Sequence, residues 1–311
     1  MYNISDAAIS KLFKFCNIIF AIASTLCGIP QLQEISNAIP CTLYAAKRLI
    51  GLEKDKFTKY IVCPMCDKLY TQEQACVETS RGRKKSAKCT YVQYPRHPQR
   101  AQRTACGTLL MKSVRGKNGS EHLVAKRTYC YNSLITALQA MALQANFKER
   151  CSHWKKVQST DNILRDIYDG QIWKTFTDSN GTSFWDNPCN LGFSLNIDWF
   201  QPYKYSVYSV GAMYLVLQNL PREERFKEEN IILIGILPGP GEPHKHMNSY
   251  LAPLVDELKM LWSGVELSDK SPEGKSVYRG ALICISCDIP ASRKCAGFLS
   301  HVAKQGIFYT M

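Results

Sequence analysis

Two aspartates carry the strongest chemical signal in this sequence. Asp198 closes the apolar run Leu191-Gly-Phe-Ser-Leu-Asn-Ile-Asp, and Asp288 closes the run Ala281-Leu-Ile-Cys-Ile-Ser-Cys-Asp. Such a run reads as a strand that leaves a core with a carboxylate at its carboxyl end. Two carboxylates brought together can hold Mg²⁺, which takes oxygen ligands and keeps several waters. An aspartate at a strand end also serves as a turn or cap residue. The second signal is Tyr60-Ile-Val-Cys63-Pro-Met-Cys66. A short strand entering Cys-Pro-x-Cys aims two sulfurs at one point, and Zn²⁺ needs four ligands at tetrahedral angles. The second pair must come from downstream, where Cys76, Cys89, His97 and Cys106 are candidates. Gly107 after Cys106 suits a second knuckle, so the favoured set is Cys63, Cys66, Cys89 and Cys106. Four protein ligands leave no open position, which makes such an ion structural.

Charge points to a polyanionic partner. The 311-residue chain carries a net charge of +13. Between Val77 and Cys130, thirteen Lys and Arg face only Glu78 and Glu121. Arg81, Arg83, Lys84, Lys85 and Lys88 form one basic cluster, and Arg96, Arg100 and Arg103 another. Basic loops on a metal-stapled module can contact a nucleic-acid backbone, with counterion release supplying the affinity. The first cluster also resembles a nuclear import signal, so the expected location is the nucleus. Fourteen cysteines spread through the chain, several inside apolar runs, suit reduced thiols and one metal site better than a disulfide framework.

The positioning elements follow from periodicity. Residues 1–58 read as a helical region, with Ser5-Asp6 as a cap and Gly28-Ile-Pro30 as a break. Its apolar run over residues 15–27 is too short to span a membrane, and no membrane partner is expected. Residues 59–130 form a basic zinc-ribbon-like β module, and residues 131–187 a helical connector. The connector holds one helix from Asn132 or Ser133 to about Arg150 and another from Thr160 onward, with Trp154 and Trp173 as packing residues. Residues 188–311 form the last domain. Strands are expected near 191–199, 208–218, 230–237 and 277–287, with an amphipathic helix over 248–262.

The fold class is therefore α+β, with a β-β-β-α-β core. In a ribonuclease H-like arrangement the first and fourth strands lie side by side, and acids at their ends can share divalent metal for phosphodiester chemistry. Asp256 and Glu257, on the intervening helix, are either a further acid of that site or a solvent-facing pair.

Several longer motifs resemble the Tnp2-type transposases of CACTA (En/Spm-like) DNA elements, particularly fungal ones. They include Asn196-Ile-Asp-Trp-Phe-Gln-Pro-Tyr, Asn219-Leu-Pro-Arg-Glu-Glu-Arg-Phe, Gly235-Ile-Leu-Pro-Gly-Pro, Tyr250-Leu-Ala-Pro-Leu-Val-Asp-Glu-Leu and Cys287-Asp-Ile-Pro-Ala. Upstream, Tyr60-Ile-Val-Cys-Pro-Met-Cys and Ile167-Tyr-Asp-Gly-Gln-Ile-Trp-Lys resemble the same family. The resemblance implies a metal-dependent DDE core using Mg²⁺ or Mn²⁺, DNA as partner (transposon ends and target), and self-association. Asp198 and Asp288 fall on its first two acids. Family members continue past the second acid to a Cys-x-x-Cys insertion and a third acid. Here Gly297-Phe-Leu-Ser-His leads to Met311 without them. The expectation is a carboxyl-terminally truncated transposase, with an incomplete core that does not turn over alone. The alternative is a non-catalytic DNA-binding protein derived from one.

Overall fold

A computed structural model describes residues 5–49, 57–80, 82–94, 96–116, 118–156, 163–243 and 246–296. The chain divides into two compact units, Met1–Lys56 and Phe57–Met311.

The first unit is helical. Helix α1 spans Asp6–Cys27, and the Ser5 hydroxyl accepts from the Ala8 N–H to cap it. Gly28, at φ 63°, ends it in the left-handed conformation that glycine adopts at least cost. Helix α2 (Pro30–Ala38) starts with proline in its first turn, and α3 covers Leu43–Leu49. Side chains fasten the three together. Ser36 donates to the Asn17 carbonyl, Asn17 donates to the Ile39 carbonyl, and the Leu43 N–H donates to the Ser10 hydroxyl. The run over residues 15–27 is too short to span, but the helix that contains it is not: its stretch Ala7–Cys27 is long and apolar enough to cross a membrane by length and composition.

The second unit is built on an eight-stranded mixed sheet. Its elements, in order, are β1 (Thr58–Val62), β2 (Leu69–Tyr70), α4 (Gln72–Ala75), β3 (Cys76–Glu78), β4 (Lys84–Ser86), β5 (Met111–Arg115), β6 (Glu121–Ala125) and β7 (Thr128–Tyr131). Then come α5 (Leu134–Ala142), α6 (Phe147–Cys151), α7 (Gln171–Thr175), β8 (Asn190–Phe200), β9 (Val210–Leu217), α8 (Arg222–Arg225), β10 (Ile231–Leu237), α9 (Met247–Ser263), β11 (Val265–Ser268), β12 (Lys275–Ile285) and α10 (Ile289–Cys295). The sheet order is β11-β12-β8-β9-β10-β7-β1-β2. Strands β8, β9 and β10 form an antiparallel meander, and α9 crosses over so that β12 returns parallel to β8.

Strands β1, β2 and β7 extend this sheet beyond β10, so strands from residues 58–131 and from residues 190–285 share one sheet. The reason lies in β10. Its apolar run is covered on both faces and needs a partner along its free edge. Residues Cys130 and Tyr131 pair with Ile236 and Gly235, and Asn132 fixes the end by bonding the Ile234 and Leu233 carbonyls. Gly235 is required at this crossing, because a Cβ there would lie 2.7 Å from the Tyr129 hydroxyl.

The connector is also less helical than expected. Ser133 caps α5 as foreseen, but Asn146, at φ 55°, breaks the helix before α6. Residues 163–166 are not helical, and residues 160–162 lie outside the described set. Aromatic packing organises this region instead. Trp173 and Trp185 stack at 3.8 Å with rings 2° from parallel, and Gly192 of β8 leaves room for the Trp185 edge.

Candidate functional site

The aspartate pair is set by strand register. In the parallel β8/β12 pair, Leu195 stands opposite Ile285. Asp198 and Asp288 each lie three residues further on, so both strands deliver their aspartate at the same, carboxyl-terminal end. Specific bonds maintain the pairing past the last register position. The Ser286 N–H donates to the Leu195 carbonyl at 2.8 Å, the Asn196 amide donates to the Ser286 carbonyl at 2.5 Å, and the Ile197 N–H donates to the Cys287 sulfur at 3.1 Å. Most of β8 is buried, and Asp198 is where it becomes exposed. Asp288 is exposed as well. One Asp288 oxygen accepts from the Ala291 N–H at 2.7 Å and caps α10. It therefore does serve as a cap residue, with a second oxygen beyond that bond.

Other contacts fasten the elements that carry the pair. Lys294 of α10 lies 5.0 Å from the Trp199 ring centre and pairs with Glu242. Trp199 stands opposite Gly211, where a Cβ would meet its indole nitrogen at 2.8 Å, so the glycine lets the ring lie against β9. A hydrogen bond from Cys295 holds the Cys287 thiol down to about 7, against burial and the repulsion of Asp288 and Asp198. The Cys295 thiol is correspondingly pushed up, first by that bond and then by burial. Sequence reasoning missed Lys294, Glu242 and the two cysteines. Only the closeness of Cys287 to Asp288 in the chain could have pointed to one of them.

Glu257 is not a solvent-facing acid, nor a member of this pair. It accepts from the Tyr131 hydroxyl (2.9 Å), the Ser133 hydroxyl (2.6 Å) and the Leu134 N–H (2.6 Å), and so anchors the start of α5 to α9. Burial, then the Glu257 charge, pushes the Tyr131 hydroxyl pKa up. Asp256 is exposed, 3.9 Å from Lys259.

The second site is a cluster of four thiols. Cys63, Cys66, Cys89 and Cys106 have all their sulfurs within 4.8 Å of one another, and the first three are buried. Two backbone knuckles present them. In the first, the Asp67 N–H bonds the Cys63 carbonyl and the Cys63 N–H bonds the Lys68 carbonyl, with Asp67 left-handed at φ 54°. In the second, the Gly107 N–H bonds the Cys89 carbonyl and the Cys89 N–H bonds the Thr108 carbonyl, with Gly107 at φ 68°. The sulfurs are 3.4 Å apart for Cys66–Cys89 and 3.8 Å for Cys63–Cys106. A tetrahedron with metal–sulfur bonds of ~2.3 Å has edges of about 3.8 Å, so the set fits one tetrahedral ion. Burial pushes the Cys63 and Cys66 thiols up. Burial also opposes ionisation of Cys106, but Thr108 and the neighbouring thiols outweigh it and bring it down to about 7. Cys76 and His97 are not in the cluster: Cys76 contacts the Met111 sulfur at 3.1 Å, and His97 accepts from the Gln99 N–H. Asp67 ties the first knuckle to the core, accepting from Arg127 at 2.8 Å and from the Tyr250 hydroxyl at 3.0 Å. A polar residue directly after the Cys-x-x-Cys was the only sequence sign of that tether.

The basic residues lie near the cysteines but are not equivalent. Arg83, Lys84 and Lys85 are exposed on and beside the β3–β4 hairpin and line a groove of about 1080 Å³ with Glu121 and His122 of β6. Lys88 and Arg96 are exposed. Arg103 is half-buried and stacks on Tyr94, 5.0 Å from the ring centre. Arg81 and the Arg100 side chain lie outside the described residues.

Among the described residues, the four-cysteine set is the one group of three or more His, Cys, Asp or Glu placed to share a metal ion, so no third ligand of these types joins Asp198 and Asp288 there. Comparison with known families gives the aspartate pair its context. Residues 161–309 match the family model for transposase family tnp2. The tnp2 match holds both aspartates, the β8–β9–β10 meander, α9 and β12, which gives this part of the chain a transposase-related character. Transposases act on DNA, so DNA is the general class of partner. The cysteine cluster and the basic hairpin lie upstream of the tnp2 match. No curated protein matches the chain.

Proposed function

We propose that Phe57–Met311 contains the DNA-handling part of a CACTA-type DDE transposase, with Asp198 and Asp288 as two of its catalytic acids. The observation that carries this reading is the parallel register of β8 and β12, which brings both acids to the carboxyl ends of neighbouring strands inside the tnp2 match. The order β12-β8-β9-β10, with α9 as the crossover, supports a ribonuclease H-like core. Mg²⁺ or Mn²⁺ bound there would activate the attacking oxygen and stabilise the leaving one. The chain's own contribution is positional. Asn196, Ser286 and Cys287 hold the two strand ends together, and Ala291 orients the Asp288 carboxylate. Zn²⁺ held by Cys63, Cys66, Cys89 and Cys106 would be structural, pinning the basic hairpin region to the sheet through Asp67. Nuclear location follows from the same basic cluster.

A second reading, DNA binding without cleavage, is favoured by the lack of a third ligand beside the aspartates among the described residues. On that reading the chain alone does not cut DNA with Mg²⁺ or Mn²⁺, and cleavage that vanishes in Asp198→Asn would exclude it. Both readings require phosphate contacts. DNA affinity is expected to fall steeply between 50 and 200 mM salt, on the order of tenfold or more for a few contacts. Replacing Arg83, Lys84 and Lys85 with Ala should flatten the slope of log affinity against log salt. An unchanged slope in a fluorescence-anisotropy titration would remove the hairpin from the DNA interface.

A further inference from the structure

Helix α1 is apolar on two sides, and only one is used within its own unit. Phe13, Cys16, Asn17 and Phe20 are half-buried, on the side where Asn17 bonds Ile39 and Ser36. The outward side carries Leu12, Phe15, Ile19, Ile22 and Leu26, exposed by 57%, 60%, 46%, 53% and 79%. Their spacing is three, four, three, four. That is the a/d repeat of a helix that packs lengthwise against another helix. We propose that this stripe is a self-association surface, through which α1 of a second copy of the chain packs antiparallel on the first.

Three observations select that occupant. A stripe with a 3.5-residue period matches another helix carrying the same repeat, and a two-fold pair supplies one without any further partner. The area is adequate. With Ile18, which is 57% exposed, the stripe offers six side chains. At roughly 100 Å² each they would bury about 1,200 Å² across the pair, the lower end for a specific interface. Charge sets the direction. Helix α1 contains Lys11 and Lys14 near one end and Asp6 as its single acid, a net positive charge at that end. Parallel pairing would gather four ammonium groups at one end, whereas antiparallel pairing separates them. It also sets Ile19 against Ile22 of the second copy and Phe15 against its Leu26. A bilayer is the competing occupant, since the helix is long enough to span one. The polar residues Ser10, Lys14, Asn17 and Ser24 run along the other side of the helix, whereas a spanning helix is apolar all round.

Sedimentation equilibrium on the full chain, with reductant present, tests this directly. The expected result is concentration-dependent association toward twice the 35.2-kDa monomer mass over about 1–100 μM, the range suited to an interface of this size. Ile19→Glu/Ile22→Glu should weaken association at least tenfold with unchanged helical circular dichroism, because both side chains already face solvent. Leu26→Glu, at the most exposed position, should act in the same direction. Wild-type protein that stays monomeric throughout would overturn the proposal, as would a double variant that associates like wild type. Monomeric protein that floats with phosphatidylcholine vesicles would overturn it in favour of a membrane.

Discussion

Purified chain is expected to carry one zinc per molecule, and Cys66→Ser is expected to lose both the metal and the fold around it. All four sulfurs lie within 4.8 Å of one another, two of the pairs at 3.4 and 3.8 Å, near the edge length of a metal–thiolate tetrahedron, and three of the thiols are buried. Structural zinc in such sites contributes an apparent ~10–16 kcal/mol of binding free energy near neutral pH, much of it realised as folding free energy. The damage should not stay local. Asp67 sits inside the first knuckle and accepts from Arg127 and Tyr250, so loss of the knuckle loosens the β1–β2 edge and the start of α9 together. Cys76→Ser is the matched control, because that thiol contacts Met111 instead of the cluster. It should retain zinc at full stoichiometry. Elemental analysis, followed by thermal unfolding with and without a chelator, reads out both expectations. A stoichiometry near zero with no chelator effect would return the cluster to four free thiols on a small β module.

The second large effect is expected at Glu257, whose carboxylate has no metal-binding role in this account. Glu257→Ala should destabilise Phe57–Met311 by about 1–3 kcal/mol for each buried donor that loses its acceptor, all of its partners being uncharged. The two hydroxyls and the Leu134 N–H that it serves would be left without an acceptor. Glu257→Gln should fall between the variant and wild type, because an amide keeps one acceptor oxygen but turns two donors toward these groups. Asp256→Ala, on the exposed side of the same turn, should stay within about 0.5 kcal/mol. Guanidinium midpoints for the three variants decide the matter. A neutral Glu257→Ala would mean that α5 is positioned by its apolar contacts alone.

Glu257 also shows where sequence reading stops. Its helix was legible from the apolar positions Tyr250, Leu254 and Leu261, and the structure runs that helix over Met247–Ser263. Its partners lie more than 120 residues away in the chain, and no local pattern announces them. The four main strands were legible for a similar reason: long apolar runs bounded by turn residues tolerate few alternatives. Strand β11 was not. Val265–Ser268 is four residues long with alternate positions in solvent, and it exists because it pairs with β12. The β7 segment Thr128–Tyr131 falls at the end of the zinc-ribbon-like module by sequence, and nothing local says that β10 needs a partner there. The cysteine set was readable because a Cys-x-x-Cys turn demands two further ligands and Gly107 marks where the chain can turn to supply them. Lys294 and Glu242 meet across 52 residues, and nothing in the spacing joins them.

On the proposed function, Asp198 and Asp288 act together on a divalent metal. The direct measurement is Mn²⁺ binding to zinc-loaded protein, followed by electron paramagnetic resonance, for wild type and for Asp198→Asn/Asp288→Asn. Asparagine keeps the side-chain shape and can still cap α10, while thiolate ligands compete poorly for Mn²⁺. One weak site is expected in wild type, and the double variant should lose it with its circular dichroism intact. Equal Mn²⁺ binding by the two proteins, or none by either, would contradict that function.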